Sequence, residues 1–172
     1  MSEIVVQKFG GTSVGTVDRI DSVAEIIKNA SKSNKIVVVV SAMGGETNRL
    51  VDLAKAFGDD PDKREFDALV STGETVSSAL LTMALHSKGV KAKSFSASQI
   101  SMRTTSSYSK AKILDVDAKK ILDVVENDTI PIITGFQGVT EGGDVTTLGR
   151  GGSDTTAVAI AAQIAAIRCD IY

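Results

Sequence analysis

A three-layer α/β sandwich, with a mainly parallel central sheet covered by helices on both faces, is written into these 172 residues. Three observations carry that expectation. Segments of strand character alternate with segments of helical period, the arrangement that produces parallel sheets with helical crossovers. Ile36-Val37-Val38-Val39-Val40 is a continuous β-branched run, as in a strand buried on both faces. Glycine clusters at 10–11, 44–45, 135–138 and 149–152 fall at or near the carboxyl ends of expected strands, where such sheets bind ligands.

In chain order, Ile4 to Phe9 is β-prone and is closed by Gly10-Gly11. Ile20, Val23, Ala24 and Ile27 then recur at helical spacing. Beyond the 36–40 strand, Leu50, Val51 and Ala54 predict a short helix, and Asp59-Asp60-Pro61 breaks the chain. A longer helix is expected from about 74 to 88, with Val76, Leu80, Met83 and Ala84 inward and Gly89 as its stop. Val90 to Phe95 reads as a strand. Ser98 to Ser109, rich in Ser and Thr without a clean period, reads as a loop or edge hairpin. A helix over about 118–126 precedes the strand Ile130–Thr134, and Gly142-Gly143-Asp144 reads as a hairpin turn. Ser153 is expected to cap an Ala-rich helix running to about Ala166, and Arg168 to Tyr172 starts another strand. No internal repeat or low-complexity linker divides the chain, so one domain over 1–172 is expected.

Composition removes several classes of function. With 42% hydrophobic and 23% charged residues the chain is ordinary globular material, neither disordered nor fibrous. Nineteen basic against twenty-one acidic residues leave no surplus to neutralise a phosphate backbone, so no nucleic-acid partner is expected. No uninterrupted apolar run approaches the roughly 20 residues of a bilayer span, and Met1-Ser2-Glu3 opens no signal peptide, so no membrane partner is expected. The single cysteine, Cys169, can form no internal disulfide and points to a reducing, cytoplasmic setting. His86 sits mid-helix, Cys169 in an expected core strand, and no His/Cys spacing suits a metal. The chemistry should therefore need neither an imidazole base nor a thiolate.

Neither G-x-x-x-x-G-K-[ST] nor G-x-G-x-x-G occurs. Lys8-Phe9-Gly10-Gly11-Thr12-Ser13 offers another phosphate site: a lysine at a strand end, then two residues whose backbone N–H groups can approach an anion. The same residues would also serve as a tight turn with a solvated lysine. Thr146-Thr147-Leu148-Gly149-Arg150-Gly151-Gly152-Ser153-Asp154 is more specific. Arg150 between glycines can grip a carboxylate or phosphate with its planar fork, and Asp154 in a first helical turn can orient a lysine. Ser41 to Thr47 and Ser71-Thr72-Gly73-Glu74 supply two further loops at the same sheet edge. Glu74 could receive an ammonium group or simply favour the helix dipole.

Five segments in this order, KFGGTSVG at 8–15, VVVVSAMGGETNRL at 37–50, STGE at 71–74, GFQGV at 135–139 and TTLGRGGSDTTAVA at 146–159, resemble the N-terminal part of the catalytic domain of aspartate kinases, in the amino acid kinase superfamily. The resemblance implies phosphorylation of the side-chain carboxylate of L-aspartate by ATP with Mg²⁺, giving 4-phospho-L-aspartate at the entry to lysine, threonine, methionine and isoleucine synthesis. It implies that Lys8 stabilises the transferred phosphoryl group and that Lys8, Phe9, Gly10, Gly11, Thr12 and Ser41 line the phosphates. Thr47, Glu74, Arg150, Gly151, Gly152 and Ser153 would hold aspartate, Glu74 on the α-ammonium and Arg150 on the α-carboxylate, with Asp154 organising the site. A homo-oligomer is implied as well. The chemistry agrees with the residues: a carboxylate nucleophile, with a reference pKa of about 3.9, is ionised at neutral pH and needs no general base. Catalysis then rests on positioning and charge neutralisation.

The chain stops at Cys169-Asp170-Ile171-Tyr172, where family members continue into a nucleoside-binding segment and ACT regulatory domains. A kinase domain truncated at its C-terminus, poorly active alone, is the resulting expectation. Two alternatives stand beside it: a non-catalytic folding or self-association fragment, and a kinase of another amino acid or a nucleotide in the same superfamily.

Overall fold

The computed structural model describes residues 3–172. Its frame is a five-stranded sheet in the order β3-β6-β2-β1-β9, parallel throughout. The strands are β1 (Ile4–Phe9), β2 (Lys35–Val40), β3 (Ala92–Phe95), β6 (Ile130–Thr134) and β9 (Arg168–Ile171). β2 sits in the middle, and its alternating side chains feed both faces. Ile36, Val38 and Val40 enter one apolar cluster and Val37 and Val39 the other, each at most 3% exposed. Burying each such side chain stabilises the fold by about 1.5–3 kcal/mol, which is why the β-branched run becomes the central strand.

The first face is covered by α1 (Val17–Ala30) and α4 (Thr72–Ser87), the second by α5 (Ala118–Glu126) and α6 (Gly152–Gln163). α1 buries the four residues its periodicity singled out, Ile20, Val23, Ala24 and Ile27, and is capped by Thr16, whose hydroxyl accepts from Arg19 N at 3.2 Å. α2 (Glu46–Lys55) and α3 (Lys63–Val70) form a satellite beside α4. The second sheet, β5-β4-β7-β8, is small: β4 (Arg103–Thr104), β5 (Ile113–Asp115), β7 (Gln137–Val139) and β8 (Val145–Thr147). It makes the 98–109 segment an edge hairpin with β5 and confirms the turn at 142–144 between β7 and β8.

Three expectations need correction. The fully buried face of α4 is Gly73, Glu74, Ser77, Ser78, Leu81, Thr82 and Leu85; of the four expected inward residues Leu80 and Ala84 are half-buried against the same core, while Val76 is 47% and Met83 64% exposed. The helix is apolar on several sides, and its buried hydroxyls bond back within the helix: Ser77 to Gly73 O, Ser78 to Thr75 O and Thr82 to Ser78 O. Those internal bonds remove the penalty for turning Ser and Thr inward. Second, Ser153 does not cap α6. Gly151 occupies that position in the left-handed region (φ +71°) and Ser153 lies within the first turn, with the helix ending at Gln163. Third, α3 precedes α4 directly. The pair forms one helical stretch, Lys63–Ser87, long and apolar enough by length and composition for a bilayer, but half of its most apolar window is buried within the domain.

Candidate functional site

Parallel strands aim their carboxyl ends, and the N-termini of the helices that follow, at one edge of the sheet. There the structure opens a cavity of about 390 Å³ lined by Lys8, Gly11, Thr12, Ser41, Thr47, Glu74, Gly151, Gly152, Ser153 and Asp154, among others. Ten of the expected site residues thus meet in one place from positions 8 to 154.

Lys8 is the penultimate residue of β1, on the face of α6. Its side chain is only 11% exposed, and Nζ lies 2.7 Å from Asp154 Oδ1 in the first turn of α6. The aspartate, 54% exposed, is the outer member of the pair. The Gly10-Gly11 turn is pinned from two sides: Ser13 N and Val14 N donate to Gly10 O, and Arg19 Nη1 donates to Thr12 O at 2.8 Å. Beyond β2, Ser41 N donates to Phe9 O, so the 41–45 loop begins hydrogen-bonded to the end of β1.

Glu74 enters from the other side. Gly73 lets α4 come this close, because a Cβ there would stand 2.8 Å from Ala42 Cβ. The Glu74 carboxylate is 3% exposed; Oε1 accepts from Ala42 N at 3.1 Å and Oε2 has no partner. Burial pushes its pKa up to about 7, against the lowering effect of the Ala42 N–H. This places a buried carboxylate with one unpartnered oxygen at the wall of the cleft, where a positively charged or donor group would satisfy it.

Three expected site residues stand apart from the lining. Phe9 is fully buried in the first apolar cluster and stacks on Tyr172, ring centroids 4.8 Å apart, so its side chain cannot touch a phosphate. The reason is strand alternation: Lys8 faces the cleft side and Phe9 the opposite core. Gly10 lies behind the cleft, its N–H donating to Tyr172 O at 3.1 Å, and is not free to bind an anion. Arg150 is exposed between the lining residues Gly149 and Gly151. Conversely, Met43, Gly44, Gly45 and Phe136 line the cleft although no motif gave them a role, Phe136 at φ +67°. Asp67 and Gln137 are both buried and both bonded to segments of the site; Asp67 carried no signal beyond a charged residue beside an apolar run, and Gln137 none beyond its place in GFQGV.

The cleft thus sets a buried lysine, paired with the first turn of α6, on one wall and a buried carboxylate on the other. Residues 3–172 match the amino acid kinase family model, and the chain belongs to that family. It is 54% identical over 170 residues to an aspartate kinase of Stutzerimonas stutzeri, covering 98% of this chain and 41% of that protein. Among solved structures it resembles aspartate kinase from Synechocystis (45% identity, TM-score 0.83, 98% of this chain and 28% of that one). It also resembles E. coli aspartokinase III in complex with aspartate and ADP (29% identity, TM-score 0.90, 99% and 49%). The chain spans about two fifths of the length of the curated relatives it matches.

Proposed function

We propose that this domain serves the ATP-dependent phosphorylation of the side-chain carboxylate of L-aspartate. The observation that carries the reading is the pairing of opposite poles across one cleft: Lys8 held by Asp154 on one wall, and Glu74 with an unpartnered Oε2 on the other. Lys8 meets the transferred phosphoryl group, its charge neutralising the approach of carboxylate to triphosphate. Gly11, Thr12 and Ser41 line the phosphates beside it. Glu74 and Thr47 face the amino acid, Glu74 taking the α-ammonium, and Arg150 takes the α-carboxylate from the neighbouring loop with Gly151, Gly152 and Ser153. On the Lys8 wall the oxygen ligands facing the cleft are hydroxyls and one carboxylate already paired with Lys8, while Glu74 stands on the opposite wall; that set suits a Mg²⁺ that enters on the triphosphate and keeps mostly phosphate and water ligands. When bound, that cation would neutralise phosphate charge. The kinship to aspartate kinases supports the substrate, a role in amino-acid biosynthesis and assembly as a homo-oligomer; the single cysteine supports a cytoplasmic setting. A single kinase domain over residues 1–172 belongs to the same reading.

Calorimetric titration with L-aspartate, L-glutamate and N-acetyl-L-glutamate, followed by hydroxamate trapping of acyl phosphate once ATP is added, tests it. N-acetylation removes the ammonium that Glu74 is proposed to hold. Preferential binding of L-aspartate is the expected result; equal or tighter binding of either competitor overturns the assignment.

A further inference from the structure

Asp67 is a carboxylate with no exposed surface and four neutral donors. Oδ2 accepts from Ser109 N and Thr147 N, both at 2.8 Å; Oδ1 accepts from Ser109 Oγ at 3.0 Å and Thr147 Oγ1 at 2.9 Å. Each partner residue thus contributes its backbone N–H and its hydroxyl, and all the acceptor capacity of an ionised carboxylate is filled. A buried charge satisfied only by neutral groups is an expensive way to fasten a helix to a sheet. Its location gives a reason.

Asp67 lies on α3, and the same helical stretch runs through Ser71 into the first turn of α4, which carries Glu74. Gln137 Nε2 fixes the junction by donating to Ser71 O at 2.6 Å. At its other end the Asp67 clamp holds Thr147, the last residue of β8, three positions before Arg150. From Thr147 the chain enters Gly149 (φ +82°), Arg150 and Gly151 (φ +71°). A Cβ on Gly149 would stand 3.1 Å from Ser109 O, so this loop rests on the other residue that Asp67 holds. One carboxylate therefore spans the two supports of the amino-acid half of the cleft.

We infer that Asp67 is a positioning residue: through Ser109 and Thr147 it fixes the Arg150 loop at a set distance from Glu74, and so sets the spacing at which the ammonium and carboxylate of one α-carbon are recognised together. The inference rests on the proposed function for the identity of that ligand. An α-amino acid carries both poles on one carbon, so two receptors on separate elements must hold their spacing to about 0.5 Å. Two loops without a common anchor would not.

Asp67→Asn is the obvious variant, but its amide would turn an NH₂ toward donors, and the chain can fail to fold. Thr147→Val is milder: it keeps shape and the backbone donor while removing one hydroxyl, and Thr147→Ser restores that hydroxyl. Hydrogen exchange at Leu148, Gly152 and Ala111, measured on the ligand-free 172-residue chain, reads the loop directly. Titration with L-aspartate reads the site. In Thr147→Val, exchange at these amides should accelerate and the aspartate Kd should rise about tenfold, both reverting in Thr147→Ser. Ile27→Val on α1, at a matched melting temperature, should alter neither. Wild-type exchange at these three amides in Thr147→Val overturns the inference, and so does equal acceleration in Ile27→Val. Failure of the wild-type chain to bind L-aspartate, with the loop loosened as expected, overturns the proposed function instead and leaves the clamp standing.

Discussion

At the carboxyl ends of the parallel strands lies the cleft of about 390 Å³ that holds Lys8, Glu74 and the glycine loops; at their amino ends lies another of about 230 Å³, lined by Lys32, Lys35 and Lys91. By lysine content alone, the amino-end cleft would be the better anion site. Its lysines, however, are occupied: Lys35 Nζ donates to Val125 O at 3.4 Å, Lys91 Nζ to Asn127 O at 3.1 Å, and Lys32 Nζ to Asn29 Oδ1 at 2.8 Å. These are the C-terminal ends of α5 and α1, where the helix dipole is negative and cations complete the orphan carbonyls. A parallel α/β unit turns every crossover helix the same way, so cations at the amino edge are absorbed by the fold. At the carboxyl edge Lys8 has only a half-exposed carboxylate for company, and a more highly charged anion can compete for it. Direction, more than charge count, separates a structural basic cluster from a binding one.

Four substitutions or conditions put that contrast at risk. The largest effect belongs to Lys8→Ala, assayed by hydroxamate formation in a chain extended to the full length of the curated relatives. The rate should fall about 100- to 1000-fold while melting barely moves, as for loss of a charged donor aimed at the reacting group. Turnover at the wild-type rate would reduce Lys8 to a turn residue. Next comes Arg150→Lys, which keeps the charge and loses the fork; a rise of about tenfold to a hundredfold in the aspartate KM, with the ATP KM unchanged, is expected in the same extended chain.

Glu74 ranks third and adds a pH axis. Its pKa of about 7 lies above the ordinary 4.5, so between those values the folded chain retains a proton the unfolded chain has lost. Stability therefore declines as pH rises from about 4.5 to 7 and levels off above. By linkage the ionised carboxylate costs about 3 kcal/mol at pH 8. L-Aspartate, needing the ionised form, should bind about tenfold more weakly per unit of pH below 7. Glu74→Gln should abolish the decline in stability between pH 4.5 and 7, melt higher than wild type at pH 8 and lose aspartate binding. A flat affinity from pH 5.5 to 8 would remove Glu74 from the ammonium site. The smallest effect is reserved for the amino edge: Lys35→Met should cost less than about 1 kcal/mol and leave nucleotide and aspartate binding untouched. A loss of nucleotide binding there would erase the distinction between the two ends.

How much of this was legible beforehand depends on where each residue gets its partner. β1, α1, β2, α5 and β6 declared themselves, because apolar periodicity and β-branching are local and strong. Ser77, Ser78 and Thr82 misled, since the bonds that make them acceptable inside are made to their own helix and leave no mark on the hydropathy pattern. β4, β5, β7 and β8 are two or three residues long and exist only through pairing, which no single segment displays. In the site, Lys8, Glu74 and Asp154 could be read from motif and spacing. Phe9 could not be placed correctly from the motif alone; strand alternation sends it away from its neighbour. Asp67 stayed hidden because a charged residue in DALV reads as the solvent side of a short helix, and its two partners, Ser109 and Thr147, lie 42 and 80 positions downstream.

The position of β1 between β2 and β9 has a consequence for synthesis. Val5 pairs Ile36 on one side and Arg168 on the other, so one neighbour of the first strand follows within a few dozen residues and the other only near the end of the described chain. At about 5–20 residues per second, roughly 7–26 s of translation separate the two pairings. Throughout that interval β1, paired along one side only, presents unpaired backbone groups beside the ribosome. That is the state in which a nascent strand edge recruits a chaperone or another nascent copy.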